Sequence, residues 1–89
     1  MLEINSTNYP KLFILLDEIV YDSGMDHAAG ESYFVEDEYD LGHFESKIHH
    51  LSEEELSTLA SGEETEMLSL VEKYDLQDVH DFLNVFFEG

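Results

Sequence analysis

The sequence predicts a mainly α domain, a small bundle of four to five short helices spanning residues 1–89. Three observations lead there. Apolar residues recur at spacings of three and four along most of the chain. Residues that start and stop helices stand at the ends of those periodic stretches. Apolar content is 43%, with six Phe and five Tyr, enough for a core and against disorder throughout. One short stretch reads differently. Tyr33, Phe34 and Val35 favour a strand, so a minor β-strand or hairpin near residues 32–37 is the α+β variant of this fold. No partner strand is evident in the sequence.

Residues 1–8 read as a lead-in ending in four cap-type residues, Asn5, Ser6, Thr7 and Asn8. Pro10 suits a first helical turn, where a missing N–H costs nothing. The first helix is expected from Tyr9 to Tyr21. Tyr9, Leu12, Phe13, Leu16, Ile19 and Val20 form one face, and Ile14 and Leu15 widen it. Asp17, Glu18 and Asp22 lie near its C-terminal end, where the helix dipole disfavours negative charge. Residues 22–32 read as a loop with Gly24 and Gly30 as turn residues and a short turn of helix at Met25 to Ala29.

Leu41, Phe44, Ile48 and Leu51 predict a second helix from about Glu38 to Leu51, despite Gly42. Ser52 and Glu55 have the capping-box spacing, which starts a third helix over Glu53 to Ser61. Gly62 stands where a left-handed C-terminal residue belongs. Ser61 and Glu64 repeat the capping spacing for a fourth helix, Glu63 to Tyr74, burying Met67, Leu68, Leu70, Val71 and Tyr74. Asp75 is placed to cap a last helix, Leu76 to Phe87, with Val79, Phe82, Leu83 and Phe86 on its core face and Phe87 broadening it.

The abnormal property is charge. Three lysines, no arginine and 22 acidic residues give a net charge of −19. Self-repulsion of that size destabilises a compact state and is relieved by salt. Direct nucleic-acid binding is argued against, because phosphate neutralisation needs Lys and Arg. With no cysteine there is no disulfide framework, thiolate catalysis or cysteine-based zinc site. The longest aliphatic run, residues 12–16, is too short to span a bilayer. Glu3 and the lack of a basic start argue against a secretory signal, so a cytoplasmic protein is expected.

Catalytic and metal motifs are missing. The histidines, His27, His43, His49, His50 and His80, match no zinc or di-iron spacing. Glu45 and His49, four apart, fit either a metal pair or a solvated hydrogen-bonded pair. Neither acidic loop matches an EF-hand, and there is no G-x-S-x-G elbow or phosphate-cradling glycine loop. Together these failures argue against an enzyme, and no cofactor is expected.

What remains is the arrangement of the acids. Residues 52–66 hold six acidic residues and no basic one, on helix ends rather than on a tail. The expected partner-binding surface combines Glu36, Asp37, Glu38, Tyr39 and Asp40 with Glu53, Glu54, Glu55, Glu63, Glu64 and Glu66, forming one stripe if the helices fold back as hairpins. Tyr33 and Tyr39, flanked by acids, are suited either to stacking on arginine or to a half-buried strand.

In size, acidity and the runs EDEYD, SEEE and GEETE, the chain resembles phage-encoded DNA-mimic inhibitors of the anti-CRISPR and anti-restriction type. The resemblance implies an inhibitor of a nuclease or surveillance complex, blocked at its DNA-reading groove and acting in a host cytoplasm. The partner is then a basic nucleic-acid-binding protein, with no direct nucleic acid and no membrane, and the chain is a monomer or homodimer. Alternatives are an immunity protein or antitoxin against a basic nuclease toxin, and an acidic adaptor or chaperone, which predicts an exposed hydrophobic patch beside the acids. A housekeeping domain adapted to high salt predicts acids spread evenly.

Overall fold

Apolar spacing, not propensity, sets the central element. In the computed structural model, which describes residues 2–24, 31–36 and 39–88, helix α1 spans Pro10–Ser23 and buries Leu12, Phe13, Leu15, Leu16 and Val20. Pro10 opens it, and Gly24 closes it at φ 70°, a left-handed conformation that costs glycine little. The elements run β1 (Leu2–Ile4), α1, β2 (Tyr33–Val35), α2 (Leu41–Ile48), α3 (Glu53–Ser61), α4 (Glu64–Tyr74) and α5 (Gln77–Glu88). This is the expected mainly α fold with a minor sheet.

The lead-in is not a coil. Residues 2–4 form the missing partner strand, antiparallel to β2, pairing Leu2 with Val35, Glu3 with Phe34 and Ile4 with Tyr33. Ile4, Tyr33 and Val35 face the core, and Glu3 and Phe34 face out. A three-residue strand leaves too short an alternation for the sequence to reveal it. The expected turn of helix at Met25 to Ala29 lies outside the described residues.

α3 packs on α1 and on α4, and α2 packs on α1. The core joins Ile4, Leu12, Leu15, Leu16, Ile48, Leu56, Leu59, Leu76 and Val79 with a chain of rings. Tyr33 meets Phe13 and Phe86 edge-on at centroid distances of 5.9 and 6.1 Å, and Phe82 lies 5.2 Å from Phe44. Each fully buried leucine contributes roughly 1.5–3 kcal/mol, which offsets the self-repulsion of the surface. No polar or charged residue is buried among the described residues.

Several local expectations change. α2 is shorter than predicted, because Asp40 caps it by accepting from the His43 N–H at 3.1 Å. The Ser52–Glu55 capping box forms in both directions, at 3.1 Å each. Gly62 is required for a different reason from the one expected. Its φ is −69°, and a Cβ there lies 2.6 Å from the Thr58 carbonyl oxygen, so close approach selects glycine. Ser61 does not cap α4. Its hydroxyl donates back to the Ser57 carbonyl, and Glu63 takes the cap position without a side-chain bond. Asp75 does not cap the last helix either. It sits at φ 55° as the left-handed end of α4, with the Leu76 N–H reaching the Val71 carbonyl at 2.8 Å. In α4 only Val71 is buried, and Leu68 is 46% exposed rather than buried.

Candidate partner-binding surface

The acids divide by what they touch. One group is built into the fold. α1 begins without a cap from its own N-cap residue, Tyr9. Instead Glu45, on α2, accepts from the Lys11 and Leu12 N–H groups at 3.1 and 2.9 Å. One carboxylate therefore satisfies two free donors and lays negative charge at the positive end of the helix dipole. Glu45 is spent on α1, and no group of three or more metal-binding side chains occurs among the described residues.

A second such contact joins α2 to the α4–α5 corner. The Lys47 ammonium donates to the Asp78 carboxylate at 3.0 Å and to the Asp75 carbonyl at 2.8 Å, and His43 Nε2 lies 3.3 Å from Asp78. Burial alone would raise the Asp78 carboxyl. The Lys47 hydrogen bond, the Val79 N–H and the charges of Lys47 and His43 together outweigh it and hold Asp78 below its ordinary value. The other lysines are also engaged. Lys11 Nζ donates to the Leu51 carbonyl at 3.2 Å, and Lys73 sits 5.1 Å above the ring of Tyr74.

Two predicted site residues belong to this structural group. Glu55 accepts from the Ser52 N–H and, at 2.7 Å, from the Tyr74 hydroxyl. The Tyr74 bond first, and the Ser52 backbone second, hold its carboxyl below the ordinary value. Asp40 is the cap of α2. Tyr33, weighed as an arginine-stacking residue, is buried, with its hydroxyl donating to Asp17 at 2.6 Å. Burial, then that bond, pushes its phenol far above the usual value.

The other group has no partner. Glu53 and Glu54 open α3, Glu63 caps α4 and Glu64 and Glu66 follow in its first turn. All five are exposed, and their carboxylates make no hydrogen bond or ion pair among the described residues. Glu54, Glu55 and Glu66 line one groove between α3 and α4, with Ser69, Leu70 and Lys73.

Glu36 and Tyr39 line a different groove with Phe34, Val35, Val85 and Phe86, and the two grooves share no residue. Asp37 and Glu38 lie outside the described residues. Tyr39 is half-buried, its ring 4.9 Å from that of Phe82. Sequence reasoning missed Glu45, since nothing local marks a cap supplied from another helix. It also missed the exposure of Phe34, which strict alternation between Tyr33 and Val35 could have signalled.

No family model matches the chain, and comparison with characterised proteins and with solved structures gave no match. No helix among the described residues is long and apolar enough to cross a membrane.

Proposed function

We propose that the chain is an acidic inhibitor that binds a basic nucleic-acid-binding protein and blocks its DNA or RNA site by mimicry. The observation that supports this is the set of five unpaired glutamates at the starts of α3 and α4. Rigid helix ends hold these charges at fixed spacing, so little ordering cost remains when a lysine- and arginine-lined groove meets them. A net charge of −19 speeds and orients the encounter. A phage anti-CRISPR or other anti-defence protein of the host cytoplasm is the finer form of this reading.

Affinity capture from a host lysate at low salt, eluted by salt, tests it. The reading expects one basic nucleic-acid-binding protein, displaced by competing duplex DNA. The variant Glu53→Gln/Glu54→Gln/Glu66→Gln should retain it at least tenfold less well and with a weaker salt dependence, about one tenfold step corresponding to 1.4 kcal/mol. A spread of unrelated basic proteins, or undiminished capture by the variant, sinks the proposal.

A second reading, an acidic adaptor or chaperone, is favoured by one observation. Phe34 and Val85 are exposed beside Glu36, which is the apolar patch such a role needs. The two readings part on the captured protein: an adaptor leaves its nucleic-acid binding intact, and an inhibitor abolishes it.

A further inference from the structure

The groove beside the small sheet combines features found nowhere else among the described residues. Phe34 is 57% exposed and Val85 56%, and they line it together with Tyr39 and Glu36. Phe34 stands on the outward face of β2, directly across from Glu3. Glu36, the residue after β2, is exposed and lines the same groove. The Glu3 carboxylate is engaged by the Asn5 amide and the Ser32 hydroxyl, so the acid that shares this groove with the exposed Phe34 ring is Glu36. The groove holds about 350 Å³. That is near the lower end of the ~300–1,000 Å³ of small-ligand clefts, room for one or two side chains but not for a helix.

We infer that this groove takes an arginine side chain of a basic partner, with the guanidinium stacked on the Phe34 ring and paired with the Glu36 carboxylate. This rests on the reading of the chain as a binder of a basic protein, and it names the chemistry of one contact. Arginine is the side chain that suits both walls. Its planar, weakly hydrated cation stacks on rings and forks onto carboxylates, whereas an ammonium is more strongly hydrated and lacks the plane. A purely apolar side chain would strip water from Glu36 without replacing its hydrogen bonds.

A second copy of the chain is the competing occupant, and the composition argues against it. The chain contains no arginine, and its three lysines already have partners within the fold. Two copies each carrying −19 also repel at every orientation.

Fluorescence anisotropy of labelled hexa-arginine and hexa-lysine peptides against the full chain tests this at low salt. The native chain should prefer hexa-arginine. Phe34→Leu, which keeps an apolar side chain but removes the ring, should lose roughly threefold to tenfold in affinity for hexa-arginine and leave hexa-lysine unchanged. Phe34→Tyr restores the ring and should restore the preference, while circular dichroism checks that each variant is folded. The inference is overturned if Phe34→Leu binds both peptides as the native chain does. Sedimentation showing a dimer that Phe34→Leu dissociates also overturns it, since a second copy then covers the groove. If hexa-arginine and hexa-lysine bind equally and Gln at 53, 54 and 66 weakens both, this inference alone fails. If neither binds, the proposed function fails with it.

Discussion

The α1–α2 contact and the α3–α4 hairpin use the same residue type for opposite purposes. At the first, Glu45 is turned inward onto the free N–H groups of α1, and its charge is consumed by the fold. At the second, Glu53, Glu54, Glu63, Glu64 and Glu66 also stand at helix starts, yet they point into water with no partner among the described residues. Glu55, between them in sequence, behaves like Glu45 and not like its neighbours. Acidity in this chain is therefore two populations. One holds the structure together, and the other is tolerated against the self-repulsion it adds.

The largest expected effect breaks the comparison on its structural side. Glu45→Ala leaves two N–H groups of α1 without an acceptor and removes the carboxylate at that helix start. Loss of a charged cap and its hydrogen bonds costs about 2 kcal/mol. For a domain of this size Tm should fall by about 10 °C, read by thermal or urea unfolding. Glu45→Gln, with a single amide oxygen, should recover about half the loss. If Glu45→Ala is as stable as the native chain, the division into two populations is wrong at its clearest member.

A smaller effect sharpens the comparison inside α3. The Tyr74 hydroxyl holds the Glu55 carboxyl below its ordinary value. A carboxylate whose folded value is depressed adds stability that is present above its unfolded value, about 4.3, and is lost as pH falls through the folded value. Tyr74→Phe keeps the ring and removes the donor. Its Tm deficit against the native chain should be present at pH 7 and shrink as pH falls below the ordinary carboxylate range. A deficit that does not change with pH would assign the loss to packing and not to the carboxylate.

How much of this was legible in the sequence follows the range of the interactions. The capping box, the α3 boundaries and the apolar face of α1 are local, set by residues within four positions of one another, and they stand where the spacing puts them. The β1–β2 pair joins residues about thirty apart, and Glu45 caps a helix from 33 and 34 residues away. Nothing near either end encodes such contacts. Gly62 shows a third kind of limit. Its position was readable, but the cause was not, because a clash with the Thr58 carbonyl depends on how α3 ends in space. The candidate surface suffered from the same limit. Composition located the acids, but whether each is free or bonded is decided by partners such as Tyr74, 19 positions away from Glu55.

The smallest expected effect on stability is the most informative about the hairpin. In Glu53→Gln/Glu54→Gln/Glu66→Gln the fold loses three charges that sit favourably near helix starts, each worth roughly 0.3–1 kcal/mol at low salt. It also loses three charges of self-repulsion, which acts in the opposite direction. No hydrogen bond or ion pair is broken, since these carboxylates have none among the described residues. The two terms oppose, so stability should change by less than about 1 kcal/mol, and salt should raise the native Tm more than that of the variant. A triple variant that unfolds as readily as Glu45→Ala would mean that these glutamates also serve the fold, leaving no population of acids set aside for a partner. A variant that keeps its Tm while losing capture of a basic protein separates the two roles within one residue type.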